Sequence, residues 1–171
     1  RLECVYFIPA YIPPHKQQSS STTAHHRLNM MKAAVRGKKE FKVSSIELQR
    51  RGVSYTVDTL KTFKKRFPNN ELVLILGADN LLQFHSWKSP ETILRLASLA
   101  VYKRKGFHRA MNNATLSPTI LKGPLLQLSS TEIRNKIKRG GSIQTLVPNS
   151  ILRYIKQHSL YLKPTPIFPK R

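Results

Sequence analysis

The chain has 171 residues, 40% of them hydrophobic, and its 30 Lys+Arg against 8 Asp+Glu give a formal charge of +22. That length suits one domain with a proper core, and no apolar run approaches the roughly 18 residues of a membrane span. A single cysteine, Cys4, excludes an internal disulfide and a cysteine-built zinc site, and two aspartates, Asp58 and Asp79, argue against a multi-carboxylate metal cage.

The first residues, Arg1-Leu2-Glu3-Cys4, lack the features of a secretory signal and an initiator methionine, which points to a fragment or a processed form. Val5 to Ile8 is a short apolar strand, followed by a Pro- and Ser-rich loop to Ser21. Helical spacing of Leu28, Met31 and Val35 predicts a helix over 22–35, with Gly37 at its C-terminal cap. Phe41 to Ile46 alternates like a half-buried strand. Residues 53–67 turn helical, with Leu60, Phe63 and Phe67 on one face, until Pro68-Asn69-Asn70 breaks the pattern. Leu72 to Leu76 is a continuous β-prone run, expected as a central parallel strand covered on both faces.

Gly77-Ala78-Asp79-Asn80 follows at the carboxyl end of that run. Ser89-Pro90-Glu91 starts a helix reaching Ala97, and Ser98 to Tyr102 is another strand. Residues 105–122 show no period and are expected as a long connection. Pro124 to Leu128 reads as a strand feeding a helix at Ser130. Ser129 and Glu132 have the Ser-x-x-Glu spacing of a capping box. Pro148 begins a last helix to Gln157, and 163–171 is an extended tail. Alternating strands and helices predict an α/β fold with helices on both faces of a parallel sheet, in one domain over 1–162.

In such folds ligands bind beyond the carboxyl ends of the strands. Four polar groups fall there: His15-Lys16, Gly77 to Asp79, Lys103 to Lys105, and Ser129 to Arg134. Their convergence on one crevice is the main structural expectation. The capped start at Ser129 to Arg134 suits an anion, because free N–H groups, the helix dipole and a forked guanidinium meet within one turn. An ordinary capped amphipathic helix, with Ile133 and Ile137 facing the core, is the plain alternative.

Four segments carry a resemblance. They are Phe7-Ile8-Pro9-Ala10-Tyr11-Ile12-Pro13-Pro14-His15-Lys16, Ser54-Tyr55-Thr56-Val57-Asp58-Thr59-Leu60, Leu76-Gly77-Ala78-Asp79-Asn80-Leu81 with Trp87 downstream, and Ser129-Ser130-Thr131-Glu132-Ile133-Arg134. In this order, across roughly Val5 to Leu162, they resemble the bacterial nicotinate mononucleotide adenylyltransferases, a branch of the nucleotidyltransferase superfamily with a Rossmann-like, doubly wound parallel sheet. The resemblance implies transfer of AMP from ATP to nicotinate mononucleotide, with Mg²⁺ assisting, in the cytoplasm and without a membrane partner.

It further implies that Ser129, Ser130, Thr131 and Arg134 hold the ATP phosphates. Gly77 and Asp79 would shape the nucleotide pocket, Asp79 accepting from a ribose hydroxyl, although a helix N-cap would also explain Asp79. His15 and Lys16 would approach the phosphates, and with Arg134 they are the catalytic candidates. Tyr55 and Thr56 would meet the nicotinate end and Trp87 would stack on the pyridine ring, or equally anchor a core. Lys103 and Arg104 would add charge near the triphosphate, or simply line a solvated loop.

The family's Gly-x-Phe-x-Pro-x-His-x-Gly-His loop does not occur in these residues, so a sheet missing its first strand and helix, on the order of 30 residues, is expected. The 171-residue chain alone is then expected to be poorly soluble and nearly inactive. Two other functions stay open. A phosphopantetheine-type adenylyltransferase is one, though Tyr55-Thr56 and Trp87 speak against it. A basic nucleic-acid-binding module is the other, which would need aromatics interleaved with cations on an exposed face. Here Tyr and Phe mostly sit at core-spaced positions.

Overall fold

A computed structural model describes residues 2–14, 22–102, 116–124 and 128–162. They form two compact units, one made of 1–53 with 128–171 and the other of 54–127.

In the first unit, β1 (Val5–Phe7) pairs in parallel with β2 (Phe41–Val43), in register Val5 to Phe41 and Phe7 to Val43. The crossover between them carries α1 (Ala24–Val35). Thr23 caps α1 by accepting from the His26 N–H at 3.3 Å. Gly37, at φ +81°, turns the chain out of the helix in the left-handed region that glycine tolerates. β2 is shorter than the alternation suggests. Ile46 opens a five-residue helix, α2 (Ile46–Arg50), whose Leu48 joins Ala24 and Leu28 in a small buried cluster with Tyr11 and Val43 against it.

The same unit holds α6 (Ser130–Lys138) and α7 (Asn149–Gln157). Ile137, Ile143 and Ile155 are their shared core, with Met30 of α1 and Tyr161 packed on it. A polar seam joins α1 to α7. The Tyr154 hydroxyl lies 3.0 Å from His26 Nδ1 and accepts from Asn29 Nδ2 at 3.2 Å, and the His158 ring packs on Tyr154.

The second unit is a three-stranded parallel sheet, β3 (Val73–Gly77), β4 (Ser98–Tyr102) and β5 (Thr119–Leu121), in that spatial order. Gly77 pairs with Tyr102 and Tyr102 with Leu121, so the three carboxyl ends are level. Helices α3 (Thr56–Arg66), α4 (Ala78–Leu82) and α5 (Pro90–Leu96) complete the unit. Val57, Leu60 and Phe63 fall on one face of α3 and are buried, while Lys64, Lys65 and Arg66 occupy its last turn, where cations suit the helix dipole. The core gathers Val57, Leu60, Leu76, Leu81, Phe84, Ile93, Leu99 and Val101.

Two sequence expectations are corrected here. Among the described residues the run at Leu72 to Leu76 is an edge strand, not the central one expected: β4 lies between β3 and β5, and Val73 and Ile75 are 37% and 41% exposed. A continuous apolar run records β preference but not lateral neighbours. Residues 105–122 are not all connection, because Thr119–Leu121 adds β5 to β4. The expected strand at 124–128 falls partly outside the described residues, and Pro124 and Leu128 are irregular. The predicted tail, 163–171, lies outside them too. Among the described residues no helix is long and apolar enough to cross a membrane.

Ile93 is 0% exposed at the centre of the second unit's core. Truncating it to alanine should cost about 2–5 kcal/mol in urea unfolding, whereas Ile75→Ala at the exposed edge should cost under about 1 kcal/mol. Equal costs would contradict this placement of the core.

Candidate active site

The start of α6 is built by its own side chains. Ser129 Oγ accepts from the Glu132 N–H at 3.1 Å, and the Glu132 carboxylate accepts from the Ser129 N–H at 2.9 Å. Both halves of the capping box read from the sequence are present. The bonds commit the N–H of Glu132 and leave those of Ser130 and Thr131 with no intrahelical acceptor, as at any helix start. Ser130 and Thr131 are exposed. The Arg134 guanidinium donates to Thr131 Oγ1 at 3.2 Å, so it is folded back toward the first turn rather than along the helix. Two free N–H groups, two hydroxyls and a guanidinium thus share one turn, which is the chemistry of an anion grip.

Behind Arg134 stands Tyr161, in the left-handed region at φ +67° and half-buried against the α6–α7 core. Burial pushes its hydroxyl above the ordinary phenol range, while a bond with the Thr22 side chain and the charges of Arg134 and Arg27 pull the other way. The Arg27 guanidinium donates to the carbonyls of Thr22 at 2.7 Å and Tyr11 at 3.1 Å, and also to that of Ala10. It ties the loop after β1 to α1, and burial lowers its pKa.

In the other unit, β3 runs directly into α4. Gly77 occupies the N-cap position, and the Asp79 carboxylate lies beside its Cα. A Cβ at Gly77 would meet Asp79 Oδ1, the tip of a side chain that can rotate, so a larger residue here would push the carboxylate out of this position. Asp79 is the second residue of α4 and not its N-cap; as the acid of the first turn it suits the helix dipole. Across the unit, Tyr55 precedes the first residue of α3, Thr56, and makes no side-chain cap bond. Tyr55 and Trp87 both pack, partly buried, on the unit's core, and the Trp87 ring lies 5.5 Å from that of Phe84. Trp87 is therefore anchored on the core while part of its surface stays exposed. Lys88 Nζ sits 4.3 Å over the Tyr55 ring and 3.4 Å from Asp58 Oδ2.

Residues 2–136 match the family model described as Cytidylyltransferase-like. A Clostridium tetani protein named "Probable nicotinate-nucleotide adenylyltransferase" is 36% identical over 170 residues, covering 94% of this chain and 85% of that relative. The chain belongs to the nicotinate-nucleotide adenylyltransferase family. The Bacillus subtilis nicotinate-nucleotide adenylyltransferase is 34% identical over 160 residues, 94% of this chain and 83% of its own length. Among solved structures, Plasmodium falciparum nicotinic acid mononucleotide adenylyltransferase complexed with NaAD matches with a TM-score of 0.75 at 21% identity, over 93% of this chain and 82% of that one. The nicotinate-nucleotide adenylyltransferase family and this chain share the Rossmann-like fold.

Of the residues singled out in the sequence, Ser129, Ser130, Thr131 and Arg134 come together on one helical turn. Gly77 and Asp79 meet at the β3–α4 junction, and Tyr55, Thr56 and Trp87 sit at the α3 end of the second unit's core. His15, Lys16, Lys103 and Arg104 lie outside the described residues. Sequence reasoning passed over Lys88 and Tyr161. A basic residue directly after the sole tryptophan was a usable signal for the first. Tyr161 offered none, because its neighbours Thr22, Arg27 and Arg134 are remote in sequence.

Since the folded state favours the neutral phenol of Tyr161, its contribution to stability is complete below about pH 10. It drains as pH rises through the higher folded value. In thermal melts from pH 8 to 11, Tyr161→Phe should show a shallower alkaline decline than the unmodified chain. Superimposable declines would contradict the burial of this hydroxyl.

Proposed function

We propose that this protein transfers the adenylyl group of ATP to nicotinate mononucleotide, giving deamido-NAD and pyrophosphate, and that it does so in the cytoplasm. The observation that carries this reading is identity to curated adenylyltransferases along 94% of the chain. The ligand named with the Plasmodium structure, NaAD, is the product of that transfer.

A phosphate oxygen of nicotinate mononucleotide attacks the α-phosphorus of ATP in line. The new P–O bond forms as the bond to the β-phosphate oxygen breaks, and pyrophosphate leaves with the electron pair. Such a transfer needs positioning and charge neutralisation more than a protein nucleophile. The α6 start is suited to that work: Ser129 fixes the cap, the N–H groups of Ser130 and Thr131 take phosphate oxygens, and Arg134 adds a permanent charge. Gly77 lets a nucleoside approach the backbone, and Asp79 accepts from its ribose. Tyr55, Thr56 and Trp87 receive the pyridine end, Trp87 by stacking. On the motif alone, His15 and Lys16 take the incoming phosphates and Lys103 and Arg104 add charge beside them. The excess of cations raises the encounter rate with these anionic substrates.

Mg²⁺ is part of this proposal only as a companion of the triphosphate, since that ion commonly arrives on phosphates with most of its waters retained. Among the described residues no group of three or more His, Cys, Asp or Glu could hold a metal ion. The described residues therefore do not form a metal cage, and no step above runs through the ion.

In the full gene product, ATP and nicotinate mononucleotide should yield deamido-NAD and pyrophosphate in equal amounts. Pyrophosphate release with phosphopantetheine instead would overturn the assignment. Arg134→Ala should lower kcat/KM by roughly 100-fold, as loss of one transition-state donor does. Gly77→Ala should raise the KM for ATP several-fold with helix content by circular dichroism unchanged, because its methyl displaces the Asp79 carboxylate. Unchanged KM in that variant would remove Gly77 and Asp79 from the pocket.

A further inference from the structure

We infer that Arg27 serves adenylyl transfer as a positioning residue, pinning both ends of the stretch that joins β1 to α1 and thereby setting the reach of Lys16 within it. The inference rests on the functional reading above and extends it to a residue outside the four segments of the family resemblance.

The stretch leaves β1 in a form that a sheet cannot hold. Pro9, Pro13 and Pro14 have no N–H and a fixed φ, so a ladder cannot continue through them. The carbonyls of Ala10 and Tyr11 then need donors from elsewhere. Arg27, in the first turn of α1, supplies them: its Nη2 donates to the Ala10 carbonyl and, at 3.1 Å, to that of Tyr11. Its Nη1 donates at 2.7 Å to the carbonyl of Thr22, next to the Thr23 cap. One guanidinium thus joins backbone on both sides of residues 12–21. The incoming side is fixed twice more, by the packing of Tyr11 against Ala24, Leu28 and Leu48 and by the parallel bridge of Ile12 with Val53. All of these residues belong to the first unit, so the arrangement is internal to it.

This work suits a forked cation. A guanidinium is planar, permanently charged and presents donors on separate nitrogens, whereas a lysine ammonium is a single point of charge. Arg27 is partly buried, so its bonds compete less with water. The Thr22 end has a second hold, because the Tyr161 hydroxyl bonds with the Thr22 side chain. Holding both ends meets part of the closure entropy of the intervening chain during folding, before a nucleotide arrives. A contact displaced by about 1 Å can cost up to roughly 100-fold in rate. A residue that touches no reacting atom can therefore govern the phosphate contact of Lys16.

A double-mutant cycle separates positioning from plain stability. In the full gene product, kcat/KM for deamido-NAD formation is measured for the unmodified protein, Arg27→Gln, Lys16→Ala and the double variant, each well below its own Tm. Arg27→Gln should lower kcat/KM about tenfold while Lys16 is present, and less than about twofold once it is alanine. Arg27→Lys keeps the charge and loses the fork. It runs through the same cycle should Arg27→Gln not fold, and should show the same Lys16-dependent loss. An equal loss in both backgrounds would be a general weakening of the fold and would overturn the inference. Full activity in Arg27→Gln or Arg27→Lys would overturn it too, as would an unchanged kcat/KM in Lys16→Ala, which would leave Arg27 nothing to place. If the unmodified protein formed no deamido-NAD from ATP and nicotinate mononucleotide, the functional reading itself would fail, an outcome separate from all of these.

Discussion

Two hydrogen bonds decide where α6 begins, and the anion-binding role proposed for its first turn depends on that decision. Ser129 and Glu132 exchange side-chain and backbone bonds across three residues, at 3.1 and 2.9 Å. With the first turn fixed, Ser130 and Thr131 present their N–H groups outward, and Arg134 returns to Thr131. Moving the start by one residue would rotate these donors by about 100° around the axis and scatter them. A cap that contributes on the order of 1 kcal/mol to stability thus fixes the geometry of a whole anion grip.

The same economy recurs at two other helix starts. β3 enters α4 through Gly77, whose missing side chain lets the Asp79 carboxylate lie beside its Cα. Tyr55 leads into α3 with its ring beneath the Lys88 ammonium. Each of these helix starts has N–H groups without intrahelical acceptors and one charged side chain near it: Arg134 at α6, Asp79 at α4, Lys88 beside α3. With 30 basic and 8 acidic residues, most cations of this chain cannot find an acidic partner.

What the sequence made legible was local. The Ser-x-x-Glu spacing located α6, the period of Val57, Leu60 and Phe63 located α3, and Gly37 marked the end of α1, because each signal lies within one or two helical turns. Short elements escaped. α2 has five residues and continues an alternating stretch, while β5 has three and sits after Pro118 in a polar connection. Lateral order escaped too: Leu72 to Leu76 is apolar enough for a central strand, yet β4 takes that place. Pairings across distance were invisible for the same reason. Asp58 and Lys88 are thirty residues apart, and Tyr161 reaches Arg27 and Arg134 only through the packing of α1, α6 and α7.

Amide proton shifts of Ser130 and Thr131, followed by ¹⁵N-labelled NMR while a non-hydrolysable ATP analogue is added to the full gene product, test the anion grip most directly. Large, saturable downfield shifts at these two residues, with a coupled change at the Arg134 guanidinium, are the expected result. Amides at the α6 start that stay still while the analogue binds elsewhere would contradict it.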